Sequence, residues 1–215
     1  MFNNNKYSNV LSIILIISIV SIVAIVGVLI VKAKNAYNNS SDAALAATEF
    51  EKINENNNTI VNKIDLTGIE STNTITNSAS NTKYKGFDVI GTIQIPTINL
   101  KYPILKQLTK KSLETSVVLL YTSNGVNKEG NTVVVGHNYR NGTMFSNVKK
   151  LQNGDVIYIT DMSGEKVKYT VYNIYRTSGS DSEYMTRNTN GKREISLSTC
   201  TDDSKARTIV WAKED

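Results

Sequence analysis

The 215-residue sequence has one cysteine, one histidine, one tryptophan and two prolines. A single cysteine cannot form an internal disulfide, so the cysteine content indicates nothing about the compartment. One thiol and one imidazole are too few for a zinc site built from cysteine and histidine, which takes three or four ligands. We therefore expect no zinc site of this kind. We also expect no other metal and no cofactor in this protein.

Most of the chain also lacks an excess of charge of either sign. The formal net charge is +5, but three of the 24 basic residues, Lys6, Lys32 and Lys34, flank an apolar segment near the N-terminus. The rest of the chain has 21 basic residues against 19 acidic ones. A balanced mixture of signs does not indicate nucleic acid as a partner.

The apolar segment, residues 10–31, has 22 residues without a charge and is long enough to cross a bilayer as a helix. It is too long for the apolar part of a cleavable signal peptide, so we expect a retained membrane anchor that follows a cytoplasmic N-terminus at residues 1–9. Lysines on both sides leave its orientation open. Residues 32–83 are polar and rich in asparagine, which indicates a stalk or linker, with a short helix expected at residues 42–53.

Residues 84–215 contain several short segments with alternating or continuous apolar character, which is typical of a small β-barrel or sandwich. Pro96 and Pro103 are expected to interrupt the first strands. Residues 112–120 are expected to form a short helix that begins at Ser112. The polar residues 177–192 indicate a surface loop.

Three side chains that could take part in catalysis lie at the ends of predicted strands. Residues 194–200 alternate as a strand with one buried face, and this strand ends at Cys200. Arg207 opens the strand that returns after a turn, so antiparallel pairing would bring its guanidinium towards the thiol. His137 ends the apolar run 132–136. Each has an ordinary structural explanation on its own, such as a buried cysteine that acts as a small hydrophobe, but their joint placement favours a site.

The residues around these three side chains resemble those of a known family. Ser-Leu-Ser-Thr-Cys at 196–200, followed by Arg207, resembles the cysteine signature of sortases, the bacterial surface transpeptidases. Val-Gly-His-Asn at 135–138 and Asn-Gly-Thr-Met-Phe at 141–145 resemble the histidine segment of that family. Ser196 stands where the family usually has threonine, which keeps a hydroxyl.

Residues 93–98 resemble the first strand of the sortase barrel, and the resemblance extends over about residues 86–213 in the same order. It implies a mainly β fold, a closed eight-stranded barrel with short helices, in residues 84–215. It also implies a single-pass type II membrane protein with its catalytic domain outside the cell. The implied partners are surface proteins with a C-terminal sorting signal similar to Leu-Pro-X-Thr-Gly, and a cell-wall amine that accepts them.

The resemblance also implies roles for individual residues. Cys200 would attack the carbonyl after the signal threonine and form a thioacyl intermediate. His137 would act as general acid and base, and Arg207 would donate hydrogen bonds to the oxyanion or the signal backbone. Thr199 and Asn138 are the expected substrate contacts. The short loop after the cysteine is closest to class D or class B sortases.

Two other functions stay open at this stage. A hydrolytic cysteine peptidase would use the same nucleophile and histidine but pass the acyl group to water. A membrane-anchored binding module would keep Cys200 as a structural residue. A calcium site would need clustered carboxylates on facing loops, and nothing in the sequence joins Glu129, Asp181 and Glu183.

Overall fold

A computed structural model describes the backbone of residues 4–64 and 82–215 and the side chains of residues 7–56 and 82–215. The chain forms two compact units, Met1–Asn39 and Ser40–Asp215. The helices are α1 (Asn4–Ile64) and α2 (Lys110–Thr115), with short 3-10 helices at Pro96–Ile98 and Phe145–Lys150. The strands are β1 (Lys83–Tyr84), β2 (Phe87–Ile95), β3 (Leu100–Leu105), β4 (Val117–Thr122), β5 (Gly130–Val135), β6 (Val156–Asp161), β7 (Lys166–Ser178), β8 (Arg193–Cys200) and β9 (Ala206–Glu214).

The strands form one sheet in the order β1-β2-β3-β4-β5-β8-β9-β7-β6. An additional antiparallel pairing of β2 with β6 closes strands β2 to β9 into an eight-stranded barrel, and β1 extends one edge. Most neighbours are antiparallel, but β3 with β4 and β5 with β8 run parallel. The predicted closed eight-stranded barrel is confirmed.

The interior of the barrel is filled by apolar side chains that alternate along the strands. Ile93 and Ile95 of β2, Ile159 of β6, and Leu197 of β8 are fully buried in one continuous cluster. A second, smaller cluster outside the barrel contains Val133, Tyr184 and Ile209. The second cluster shows that the segment between β7 and β8 covers part of the outer surface.

Strand β8 differs from the expectation of a single buried face. Every residue from Glu194 to Thr199 is buried. The reason is that β8 lies between β5 and β9, and the segment after β7 packs over its outer face. The alternation of polar and apolar residues in this strand therefore separates two buried environments and does not separate core from solvent.

Three expected local features need correction. Pro103 does not interrupt the sheet but lies within β3, where its carbonyl accepts a hydrogen bond from Ser116 Oγ at 2.6 Å. Helix α2 is capped by Thr109 and ends at Thr115. Residues 117–120, the last part of the expected helix, belong to β4, because the β-branched and aromatic side chains of this strand favour it. The segment expected to be a surface loop from residue 177 begins after Ser178, and its Tyr184 is buried.

Helix α1 begins within the polar N-terminal residues and contains the whole apolar segment. The part of this helix whose side chains are described, Tyr7–Asn56, is long and apolar enough to cross a membrane. Its most apolar window has a mean hydropathy of 3.3. Ser12, Ser18 and Ser21 donate to backbone carbonyls one turn earlier, which satisfies their hydroxyls within the helix.

The later part of α1 belongs to the same unit as the barrel. Ala43 and Phe50 are buried in the barrel's apolar cluster. Glu51 forms a 2.8 Å ion pair with Lys101 of β3 and accepts a 2.7 Å hydrogen bond from Thr92 of β2. Burial alone would raise the pKa of Glu51, but the bonds from Lys101 and Thr92 lower it below its usual value.

This packing changes the description of the stalk. The short helix expected at residues 42–53 lies inside α1, so Asp42 does not begin it. At least residues 43–51 are part of the packed unit and not a solvated linker. Residues 65–81, a further part of the stalk expected at residues 32–83, lie outside the described residues.

Candidate active site

Cys200 and Arg207 are direct partners across the β8–β9 hairpin. The turn between them is held by Thr201, whose backbone N–H donates to the Ala206 carbonyl at 2.9 Å and whose hydroxyl donates to the same carbonyl at 3.1 Å. Residues directly opposite each other in an antiparallel pair point to the same face of the sheet. The expectation that the hairpin brings the guanidinium to the same rim as the thiol is supported by this register.

His137 reaches the same rim from the neighbouring strand. Strand β5 runs parallel to β8 with Val135 opposite Ser198, and the Gly136 N–H donates to the Ser198 carbonyl at 3.3 Å. His137 therefore leaves the sheet at the level where β8 reaches Cys200. Its ring packs against Tyr139 with 4.9 Å between the ring centroids. Within residues 82–215, no hydrogen bond joins the imidazole to the thiol.

Asn138 bridges the histidine segment and the cysteine turn. Its Nδ2 donates to the Cys200 carbonyl at 3.0 Å and to Asp202 Oδ1 at 2.9 Å. Hydrogen bonds from Lys149 and then Asn138 lower the pKa of Asp202, so this carboxylate is ionised at neutral pH. The amide expected to contact substrate thus fixes the two segments that carry the histidine and the nucleophile. The sequence indicated that Asn138 was important but did not indicate Asp202 as its partner.

Thr199, the other expected substrate contact, is only 3% exposed. Its hydroxyl donates to the Gly136 carbonyl at 2.8 Å. This bond joins Thr199 of β8 to the residue that follows β5, and these two residues directly precede the nucleophile and the histidine. In this structure, the hydroxyl holds the two strand ends together.

The Arg207 guanidinium uses only part of its hydrogen-bonding capacity. Its Nε donates to the Gly179 carbonyl at 3.2 Å, at the start of the segment between β7 and β8. Its two terminal nitrogens donate to no group in the described residues. Because arginine stays protonated, these nitrogens are permanent donors at the rim of the site.

A pocket of about 320 Å3 opens beside the thiol. Its lining includes the polar residues Asn138, Thr199, Asp202 and Arg176 beside Cys200, together with the Phe145 ring, so both polar and apolar groups surround the nucleophile. His137 and Arg207 are not among the lining residues. The three expected catalytic side chains therefore share a rim, but this pocket receives only the cysteine.

The segment between β7 and β8 is held against the barrel by a buried network that the sequence did not reveal. Arg187 forms an ion pair with Glu194, and both side chains are largely buried. The Tyr172 hydroxyl donates to the same carboxylate at 2.6 Å, and burial followed by this bond raises the pKa of Tyr172 to about 12. Asn131 Nδ2 donates to the Tyr184 carbonyl at 2.9 Å. The alternation along β8 places Glu194 on the polar face of the strand, and nothing local in the sequence indicates that this face is buried.

Comparison with known proteins supports this picture. A family model described as "Sortase domain" matches residues 93–215. Sortase A of Bacillus anthracis is 34% identical over 125 residues, which cover 57% of this chain and 58% of that protein. Sortase A of Streptococcus agalactiae serotype III (strain NEM316) is 27% identical over 169 residues, which cover 76% of this chain and 68% of that protein.

Solved structures with the same barrel include sortases of more than one class. A sortase D5 transpeptidase from Clostridium perfringens is 32% identical with a TM-score of 0.54, and the match covers 60% of this chain and 79% of that one. Sortase C-1 of Actinomyces oris is 27% identical with a TM-score of 0.54, covering 60% of this chain and 75% of that one. The family model covers more than half of the chain and includes both strands of the cysteine hairpin. The chain therefore belongs to the sortase family.

Proposed function

We propose that this protein is a membrane-anchored cysteine transpeptidase that cleaves a sorting signal similar to Leu-Pro-X-Thr-Gly and transfers the protein to a cell-wall amine. The observation that carries the proposal is the pairing of Cys200 with Arg207 across β8 and β9, beside the strand end that carries His137. Asn138 connects the two segments through its bond to the Cys200 carbonyl. This rim presents a nucleophile, an acid–base group and a fixed cation together.

In the first half-reaction, the Cys200 thiolate attacks the carbonyl carbon between threonine and glycine of the signal. A carbon–sulfur bond forms and the carbonyl oxygen becomes an oxyanion. When this intermediate collapses, the carbon–nitrogen bond breaks, and protonated His137 gives its proton to the departing glycine amine. The product is a thioacyl enzyme and a released C-terminal peptide.

In the second half-reaction, a neutral amine attacks the thioacyl carbon, and His137 accepts the proton that this amine loses. The carbon–sulfur bond breaks and Cys200 leaves as the thiolate. One peptide bond has been exchanged for another, so no cofactor or external oxidant is required. Water in place of the amine would give the hydrolytic peptidase reaction.

Arg207 is proposed to stabilise the oxyanion or to hold the signal backbone. Its terminal nitrogens have no partner in the described part of the chain, while Nε is fixed by the Gly179 carbonyl. A donor that is already oriented before the reaction stabilises developing charge without reorganisation. Arginine is a poor proton acceptor at any physiological pH, which leaves acid–base chemistry to His137.

The surroundings of the site fit the rest of the proposal. The apolar part of α1 is compatible with an anchor, and an extracellular catalytic unit would give type II topology. The substrates would be surface proteins with C-terminal sorting signals, and the acceptor a peptidoglycan amine. The 32% identity to a D5 transpeptidase favours a class D type of sortase over class B.

The test is product analysis of the purified protein with a library of fluorescent peptides similar to Leu-Pro-X-Thr-Gly. Wild-type protein should cleave after threonine and form a new amide when an amine is added, and mass spectrometry should find a thioacyl adduct on Cys200. Cys200→Ala should do neither, because it has no thiol. Hydrolysis unaffected by any amine would identify a peptidase, and an inert thiol with no cleavage would identify a binding module.

A further inference from the structure

A second pocket lies on the outside of the barrel, away from the cysteine pocket. Its volume is about 510 Å3, and it is bounded by β7, β9 and the segment that connects β7 to β8. Three aromatic side chains, two carboxylates and one guanidinium dominate the lining, and these are Tyr175, Tyr184, Trp211, Asp181, Glu183 and Arg187. The reaction proposed for the thiol uses none of these residues.

The aromatic walls are fixed by their contacts. Tyr175 meets Trp211 edge to face, with 5.0 Å between centroids and an angle of 74°. The Trp211 Nε1 is buried and has no hydrogen-bond partner in the described residues. Tyr184 is 3% exposed and packs with Ile209. The pocket therefore has rigid aromatic surfaces and does not depend on mobile side chains for its shape.

The charge balance of the pocket is negative. Arg187 lies 4.7 Å from the Trp211 ring centroid, and its charge is neutralised by Glu194. Asp181 accepts hydrogen bonds from the Thr177 hydroxyl and the Glu183 backbone, which lower its pKa and keep it ionised. The Glu183 side chain is exposed and forms no ion pair within residues 82–215. Asp181 and Glu183 thus form no ion pair within residues 82–215, although Arg187 lies over one face of Trp211.

We propose that this pocket binds an organic ammonium group, carried on an aliphatic stem by the amine acceptor. Arg187 already covers one face of Trp211, so the ammonium would be bound by the two carboxylates and the Tyr175 ring. An aromatic ring accepts the aliphatic stem, and its negative face attracts the charge. The assignment of the ammonium to the acceptor rests on the function proposed above. The binding of an ammonium group by the pocket itself does not.

The docked ammonium is a different group from the attacking amine. An attacking amine has to be neutral, whereas two nearby carboxylates stabilise the protonated form. Trp211 lies four residues from Arg207 along β9 and on the same face of the strand, which corresponds to about 13 Å at the rise of a β-strand. The pocket therefore fits an acceptor with a second cationic group at about that distance from its nucleophilic amine.

The test uses Trp211, because it is the only tryptophan of the chain and lies in the pocket. The full-length Cys200→Ala protein in detergent would be titrated with N-acetyl-lysine methylamide while tryptophan fluorescence is recorded with excitation at a wavelength where tyrosine does not absorb. N-acetyl-norleucine methylamide is the neutral ligand of matched shape. We expect a saturable change with the lysine compound that weakens with salt, and none with the norleucine compound.

Two variants and one control assign the binding to the carboxylates. Asp181→Asn and Glu183→Gln should each weaken binding about threefold, as is typical of exposed ion pairs, and the double variant more. Glu129→Gln removes an exposed carboxylate from another loop and should leave binding unchanged. Equal binding of the neutral compound, or unchanged binding by the double variant, would overturn the proposal. A response to calcium chloride with none to the lysine compound would do the same.

A kinetic comparison then tests the link to the acceptor. Wild-type protein would be given triglycyl-lysine amide or triglycyl-norleucine amide as amine, with a sorting-signal peptide as donor. We expect a lower KM for the lysine acceptor, lost in the double variant, with the rate of thioacyl formation unchanged. Equal KM values would contradict the acceptor role even if fluorescence shows ammonium binding. Absence of any cleavage would instead count against the proposed transpeptidase.

Discussion

Phe50 packs α1 against the barrel, and replacing this side chain tests whether the later part of the helix belongs to the folded unit. The side chain is 1% exposed and lies in the same cluster as the barrel core. Removing a buried phenylalanine ring usually costs about 3–5 kcal/mol, and the lower end applies where neighbouring elements can move together to fill the space. We expect Phe50→Ala to lower the free energy of unfolding by about 3 kcal/mol, since a helix on a barrel surface can shift.

For a unit of this size, that loss corresponds to a fall in melting temperature of about 6–12 °C. The measurement is thermal unfolding of the protein beginning at Ser40, followed by circular dichroism. Leu45→Ala is the matched control, because Leu45 lies on the same helix but is 68% exposed. Its effect should stay within about 0.5 kcal/mol. Equal melting temperatures for the two variants would show that α1 does not pack on the barrel.

The same reasoning changes what to expect of truncation. A domain that begins after residue 80 keeps all the proposed catalytic residues. The sequence alone therefore predicts that it is soluble and active. The structure shows that it also lacks Phe50 and the ion pair of Glu51 with Lys101. We therefore expect it to melt below the protein beginning at Ser40. Identical melting curves would contradict this expectation.

Three further substitutions test the site. Arg207→Lys keeps the charge but loses the planar arrangement of donors. We therefore expect kcat to fall about 100-fold with the melting temperature little changed. A lysine variant whose kcat is within a few-fold of wild type would remove Arg207 from the mechanism. Asn138→Ala breaks the bridge to the cysteine turn. We expect kcat to fall at least tenfold, on the order expected when a positioning contact is lost. A normal rate would show that the bridge is dispensable. Gly136→Ala places a methyl group 2.9 Å from the Phe145 ring, so we expect lower activity and stability together, and wild-type values for both would show that the ring can move away.

The strands of the barrel were predictable because their signals are local. The alternating and continuous apolar segments gave the strands of the barrel, and the cysteine hairpin has a short turn, so the pairing of Cys200 with Arg207 follows from sequence neighbours. The strand that ends near His137 was equally clear, because the run before it is apolar without interruption. The closed barrel itself came from the resemblance and not from the pattern, which also allowed a sandwich.

The features that could not be predicted depend on contacts between distant parts of the chain. Glu194 looks like a solvent-facing strand residue until Arg187 covers it, and nothing local indicates that pairing. Residues 43–51 have a weak apolar stripe, so their packing becomes evident only when β2 and β3 supply Thr92 and Lys101 as partners. Thr109 caps α2, although Ser112 was the expected cap. Both hydroxyls can cap a helix, and the reciprocal bonds between Thr109 and Ser112 determine which residue begins it.

The position of β9 has a consequence for how the protein folds. This strand comes last among the described strands, yet it lies inside the sheet between β8 and β7. While the chain is being made, β7 and β8 would both present unpaired edges until β9 is inserted, and such edges favour pairing with other chains. Pairings between strands distant in sequence also form slowly. The nascent protein should therefore be most prone to aggregation just before β9 is complete, when the nucleophile is already present but its arginine partner is not yet in place.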